Sequence, residues 1–296
     1  MGQKDLTEKS LESYPDVFAD IVNVFLYKGE QVVLAENLQA APTETLYPAK
    51  HGRLRNQFHD VSKYEMHDGK IKVQYTLENE TKAKWKTVLR KAGYGGAVYR
   101  SQYDGREVFP FVSMVLFWGK GHWRAPKSLE QLFDSDVAQK EYIDNIRLHV
   151  HEMAHLSQEV RERFRSDMRI VVDFLAEGQN YIPSKQKIIH LEALLLMLNA
   201  LTGDNRYEEI ILDMQDEQNK MGGVSMCELL DKYETRGREA GMADGMAKGM
   251  ANGMSLGVER VNELIKRLIG DGRSVEIDRA VSDKEYQNRL FEEYGL

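Results

Sequence analysis

The sequence predicts an α/β core followed by an all-α C-terminal region, and three patterns carry that expectation. Ile71, Val73, Tyr75 and Leu77 alternate with Lys72, Gln74, Thr76 and Glu78, the period of a strand with one buried face. Ahead of it, Val17, Phe18, Ile21, Val22, Phe25 and Leu26 recur at helical spacing. Beyond residue 155 alternation gives way to helical spacing, and Gly237, Gly241, Gly245, Gly249, Gly253 and Gly257 recur at every fourth position. A chain of 296 residues, 42% hydrophobic and 29% charged, can bury one substantial core and a smaller accessory one.

In chain order, Pro15 opens the first helix and Gly29 stops it, with Asp16, Asp20, Asn23 and Tyr27 on the face away from its apolar stripe. Residues 31–57 contain Pro42 and Pro48 and read as a connection with a short strand and helix. Residues 58–63 and 70–80 form the arms of a hairpin around Asp68-Gly69, a dipeptide suited to positive φ. Trp85, Val88, Leu89 and Ala92 restore helical spacing, which Gly93, Gly95 and Gly96 are expected to interrupt; this Gly-rich stretch lacks the Lys and Ser/Thr of a phosphate-binding loop.

Residues 111–118 read as a buried strand. A short helix after Pro126, a strand within 142–150 and helices near 155–177, 185–201 and 205–219 follow. The expected organisation is an α/β domain over 1–150, a helical domain over 151–222, a Gly-repeat linker helix over 223–257 and a helical hairpin over 258–296. Small residues at every fourth position let a second helix approach closely, so a homo-oligomer through the C-terminal helices is an expectation, while the helix penalty of about 1 kcal/mol per glycine equally fits a low-complexity linker.

Composition narrows the function classes. A single cysteine, Cys227, excludes an internal disulfide framework and a Cys-rich zinc module, in keeping with a cytoplasmic setting. The first sixteen residues lack the apolar stretch of a signal peptide, and the longest apolar run, 109–119, is too short to span a bilayer. The net charge of −7 is unevenly spread: residues 50–106 carry thirteen Lys/Arg against six Asp/Glu, which suits a phosphate-facing surface there.

A hairpin with Asp60 on one strand and Glu78 on its neighbour brings two carboxylates together if they share a face. Glu80 lies two residues after Glu78 and so on the same face, with Lys82 next. Hard oxygen ligands of this kind suit Mg²⁺ or Mn²⁺, which can activate water and offset charge on a phosphate. Taken alone, the same residues also fit an ordinary turn and a solvated strand end.

Several short motifs in a fixed order resemble the recombination-promoting nuclease family, also described as transposases, with a PD-(D/E)XK nuclease core. They are Ala19-Asp20 with Asn23, Lys28-Gly29-Glu30-Gln31, Asp60-Val61 with Lys63, Glu78-Asn79, Arg90 on the following helix, and Phe109-Pro110-Phe111-Val112. The Gly-every-four tract and terminal helix belong to the same likeness. It implies a PD-(D/E)XK-like mixed sheet flanked by helices, Mg²⁺-dependent DNA cleavage, metal binding by Asp60 and Glu78, Asp20 as a third acid, and Arg90 steadying a phosphate or the site. The family pattern has Gln or Lys two residues after the Glu. Glu80 stands there instead, so Lys82 or Lys63 would have to supply the cation, or the chain would be a decayed DNA-binding or self-associating relative.

A rival motif is His151-Glu152-Met153-Ala154-His155, which fits H-E-x-x-H, the zinc-peptidase pattern of two histidines one helical turn apart with a glutamate base. That reading needs a third ligand, for which Glu159, Glu162 and Glu177 are candidates.

Overall fold

Pro15 occupies the first turn of helix α1 (Pro15–Tyr27), where its missing N–H costs nothing, and the chain leaves the helix through Lys28 and Gly29 at φ 55° and 90°. The computed structural model describes residues 11–48, 54–58, 60–105, 108–133, 142, 144–203, 207 and 225–296. The expected helix over 205–219 lies outside them except for Tyr207. Contacts divide the chain into two units, Met1–Met226 and Cys227–Leu296.

The first unit is α/β, built on a five-stranded mixed sheet. Strands β1 (Leu38–Ala40), β4 (Val61–His67), β5 (Lys70–Glu80), β6 (Phe111–Phe117) and β7 (His149–Glu152) lie side by side in that order. β1, β4 and β5 are antiparallel neighbours, while β6 runs parallel to β5 and β7 parallel to β6. A separate antiparallel pair joins β2 (Glu44–Pro48) to β3 (Leu54–Phe58). The β4–β5 turn is the expected one, with Asp68 and Gly69 at φ 51° and 77°. Its first arm is displaced from 58–63 to Val61–His67 and runs up to the turn.

Helix α2 (Lys86–Ser101) makes the crossover between parallel β5 and β6. It continues through Gly93, Gly95 and Gly96, contrary to the expected interruption. Val88, Tyr94 and Val98 anchor it in the core, and that packing outweighs the helix penalty of about 1 kcal/mol per glycine.

Strand alternation and the register sort the sheet into two faces. Ser62, Gln74, Thr76, Glu78, Glu80, Ser113, Val115, Phe117 and Glu152 point one way; Lys63, Tyr75, Leu77, Asn79, Met114, Leu116 and His151 point the other. Helix α1 covers the second face: Lys63 Nζ lies 5.7 Å from the Phe18 ring, His151 stacks on Phe25, and the Tyr27 and Tyr75 hydroxyls are 3.4 Å apart. Helix α2 covers the first, with Val88 in one apolar cluster with Val115, Phe117, Trp123 and Leu148.

Two expectations change here. Asp20 and Asn23 are buried because other chain segments supply backbone partners to that side of α1. Asn23 accepts from Val32 N and Val33 N and donates to Val33 O. Asp20 Oδ2 accepts from Arg165 N at 2.9 Å and Ser166 N at 2.8 Å.

The expected boundary at 150 also falls inside β7, and residues beyond it continue the first unit. The expected helix over 155–177 is divided into α3 (Gln158–Arg161) and α4 (Met168–Glu177). At the break the Asp20 carboxylate captures the backbone N–H groups of Arg165 and Ser166, and the Asp167 side chain reaches away to accept from Ile189 N and His190 N, ahead of α5 (Leu191–Thr202).

The second unit is helical. The Gly-repeat segment and the first arm of the expected hairpin form one 45-residue helix, α6 (Met226–Gly270), followed by α7 (Ile277–Ser282) and α8 (Lys284–Tyr294). Leu264, Leu268, Ala280, Leu290 and Phe291 make its core. Among the described residues nothing beyond the adjoining residues and the helix's own backbone lies within 4 Å of a Cβ placed at Gly241, Gly245, Gly249, Gly253 or Gly257. Met242, Met246, Met250 and Met254 are exposed. No helix among the described residues is long and apolar enough to cross a membrane.

Candidate active site at the strand ends

The antiparallel register of β4 and β5 ends with Val61 opposite Leu77, and one further step sets Asp60 across from Glu78. A hydrogen bond fixes that approach: Asp60 Oδ2 accepts from Asn79 N at 2.6 Å. Glu78 is buried on the α2 face, and Asp60 is half-buried at the strand entrance. Asn79 points to the other face, donating from Nδ2 to Glu12 Oε2 and accepting from Trp118 Nε1.

Glu80 follows Glu78 on the same face and is engaged by cations. Arg90 of α2 hydrogen-bonds Glu80 Oε1, Thr87 Oγ1 lies 3.4 Å from the same oxygen, and Lys84 Nζ is 3.7 Å from Oε2. The buried carboxylate is thereby neutralised where it stands. Arg90, expected to steady a phosphate or the site, is paired with protein.

The other expected participants are dispersed. Lys63 is buried on the α1 face, so the sheet separates it from Glu78 and Glu80. Lys82 is exposed beyond the end of β5. Asp20 belongs to α1, on that same far face, and clamps the 165–166 backbone. Burial raises its carboxyl above the usual range despite hydrogen bonds from Ser166 and Arg165, and among the described residues it forms no three-ligand group with Asp60 and Glu78.

Lys91 is the group that the sequence reading missed. It extends from α2 towards the sheet, donating to Ser113 O at 3.2 Å and Arg147 O at 2.7 Å. Burial pushes its ammonium down to about 8, against the opposing pull of the Glu78 carboxylate. In the sequence its signal is helical spacing from Thr87, because the crossing of α2 over the sheet selects which lysine lies within the electrostatic reach of Glu78.

The H-E-x-x-H pattern does not form a helix. His151 and Glu152 are consecutive residues of β7 and face opposite sides of the sheet, while His155 ends a short 3-10 turn, Met153–His155. His151 stacks on Phe25, ring centroids 3.7 Å apart. Burial, with the nearby charges of His149 and Lys127, lowers its imidazole to about 4. His151 and His155 therefore cannot grip one zinc ion, because the motif needs both on one helical face.

Glu152 faces the connection that follows β6. It accepts from His122 Nδ1 at 2.6 Å and Trp123 N at 3.0 Å. Burial raises the Glu152 carboxyl, but these bonds and the charges of His122 and Lys127 outweigh that effect, leaving it below the usual range.

In comparisons with known proteins, the chain matches no family model, no curated protein and no solved structure.

Proposed function

We propose that the chain is a Mg²⁺- or Mn²⁺-dependent DNA endonuclease of the PD-(D/E)XK type, of the recombination-promoting nuclease kind, hydrolysing phosphodiester bonds at Asp60 and Glu78. The observation that carries this reading is the register that sets Asp60 across from Glu78 at the ends of two antiparallel strands. Two carboxylates on adjoining strands match the oxygen preference of Mg²⁺, which leaves further positions to water and phosphate. A bound ion of this kind would supply an activated water and offset the charge developing on phosphate.

The chain's own groups have separable roles in this proposal. Asp60 and Glu78 hold the ion. Lys91, held by two backbone carbonyls, places positive charge beside Glu78. The neutralisation of Glu80 by Arg90 and Lys84 lets an acid occupy the place of a donor without repelling the substrate phosphate.

Supporting the choice of DNA, the connection into α2 places exposed Lys82, Lys84 and Lys86 beside exposed Trp85, whose ring lies 5.4 Å from Lys86 Nζ. Basic groups with an exposed aromatic suit phosphate backbone and unstacked bases.

The test is plasmid cleavage by purified protein with Mg²⁺ or Mn²⁺, against Asp60→Ala and Glu78→Ala. The proposal expects nicking or cleavage that both substitutions abolish. Cleavage that persists in Asp60→Ala rejects the site, and salt-sensitive DNA retention with no cleavage favours the decayed DNA-binding alternative.

Self-association through α6 is part of the same proposal, motivated by its glycine positions and exposed methionines. Light scattering should show a lower oligomeric order for a chain ending at residue 225 than for the full chain. An unchanged order rejects it.

A further inference from the structure

Two connections leave the sheet at the C-terminal ends of parallel β6 and β7, and they converge. After β6, Gly119 lies under the Phe117 ring, where a Cβ would come within 2.3 Å of Phe117 Cζ. The chain can therefore fold back there and bring His122 beside Glu152, the residue in register with Phe117 on β7.

After β7, the 3-10 turn Met153–His155 lays the His155 ring against that of His122, centroids 4.2 Å apart at 29°. His155 Nε2 donates to Lys120 O at 3.0 Å, which leaves the lone pair of a neutral imidazole on Nδ1. One ligand atom each from His122, Glu152 and His155 lies within 4.8 Å of the others.

We propose that His122, Glu152 and His155 form a binding site for a divalent transition ion of the Zn²⁺ class, separate from the Asp60–Glu78 pair. Two imidazoles and one carboxylate suit Zn²⁺ far better than Mg²⁺, which prefers oxygen throughout. Zn²⁺ bonds of about 2.0–2.1 Å in tetrahedral geometry place ligand atoms about 3.3 Å apart. The three ligand atoms already lie within 4.8 Å of one another, so shifts of at most about 1.5 Å, with a slight opening of the 2.6 Å contact between His122 and Glu152, reach that spacing. His122 and His155 are exposed and able to do so.

The hydrogen bond from His155 to the Lys120 carbonyl is the outer-sphere support that ligating histidines usually have. A fourth position is left for water. Binding would displace the His122 proton now shared with Glu152 and fasten the β6 and β7 connections to each other. Glu152 lies two strand spacings, about 10 Å, from Glu80 in the same row of the sheet, so the ion would neighbour the carboxylate pair without sharing a ligand with it.

The experiment uses full-length protein stripped by a chelator and titrated with Zn²⁺ against a chromophoric competitor, with Co²⁺ absorption reporting the coordination. The proposal expects one equivalent of tight binding and a tetrahedral Co²⁺ spectrum. His122→Ala, Glu152→Gln and His155→Ala should each weaken affinity at least about tenfold, while exposed His67→Ala changes nothing. Zn²⁺ should raise the Tm of the unmodified chain and leave that of the doubly substituted H122A/H155A chain unmoved. Absence of stoichiometric binding overturns the proposal. So does undiminished binding in the double variant with an unchanged circular dichroism spectrum, or binding removed only by Asp60→Ala and Glu78→Ala.

Discussion

Glu80 and Arg90 form an ion pair that joins the last residue of β5 to the second turn of α2, with the carboxylate buried and the guanidinium partly exposed. Removing Arg90 leaves a buried acid with Lys84 and Thr87 as its remaining side-chain neighbours among the described residues. Arg90→Ala should therefore destabilise the fold by about 2 kcal/mol in urea unfolding, at the lower end because the arginine is partly solvated. Adding Glu80→Gln should recover most of that loss. An unrepaired double variant would show that the arginine acts through packing rather than charge.

The same pair makes a catalytic prediction. Because the charge of Glu80 is already neutralised, Glu80→Gln should change Mg²⁺-dependent cleavage by no more than about threefold. An increase of a hundredfold would mean that Glu80 suppresses the site.

Lys91 and Lys82 should behave differently. Lys91 senses Glu78 from α2, whereas Lys82 is exposed beyond the strand. Lys91→Met should lower the cleavage rate by about 100-fold with little change in DNA retention, and Lys82→Ala should mainly weaken retention at raised salt. Equal rate losses from both would remove the distinction.

Asp20 separates structural from metal-binding roles. Losing the acceptor for Arg165 N and Ser166 N through Asp20→Ala should cost about 2 kcal/mol of stability. Mg²⁺ affinity of the folded variant, measured by calorimetry, should stay unchanged. A large loss of affinity would restore Asp20 to the ligand set.

His151 links stability to pH. Its imidazole is held at about 4 in the fold against about 6.5 when unfolded, so the unfolded chain takes up the proton first as pH falls. Its stabilising contribution is complete above pH about 6.5 and is lost progressively down to about 4, on the order of 3 kcal/mol in total. His151→Phe, which can keep the stack on Phe25, should show a smaller fall in urea midpoint between pH 7 and 4.5. A fall as large as that of the unmodified chain would show that other groups dominate.

Elements with a local cause were legible in the sequence. Alternation gave β5, the Asp68-Gly69 turn set the hairpin, and Pro15 with Gly29 bounded α1, because each depends on a few neighbouring residues. The turn alone, which sets His67 opposite Lys70, would carry Asp60 across from Leu77; the bulge between Glu65 and Met66 shifts the register by one residue and sets Asp60 across from Glu78 instead, and nothing in the sequence marks that bulge. The continuity of α2 and the division of the expected 155–177 helix were hidden, because packing overrode glycine propensity in one and the distant Asp20 carboxylate captured the Arg165 and Ser166 N–H groups in the other.

By itself, the sequence determined the α/β-then-helical order and put two acids towards a hairpin's open end, while the bulge between Glu65 and Met66 decided that they stand across from each other. Only the tertiary structure decided which cations attend them. The sheet's two faces put Lys63 with α1, the crossing of α2 brought Arg90 to Glu80 and Lys91 towards Glu78, and the two post-strand connections joined His122 to Glu152 and His155. Strand alternation assigns a residue to a face from sequence alone, but which helix covers that face, and in which rotation, depends on packing between distant segments.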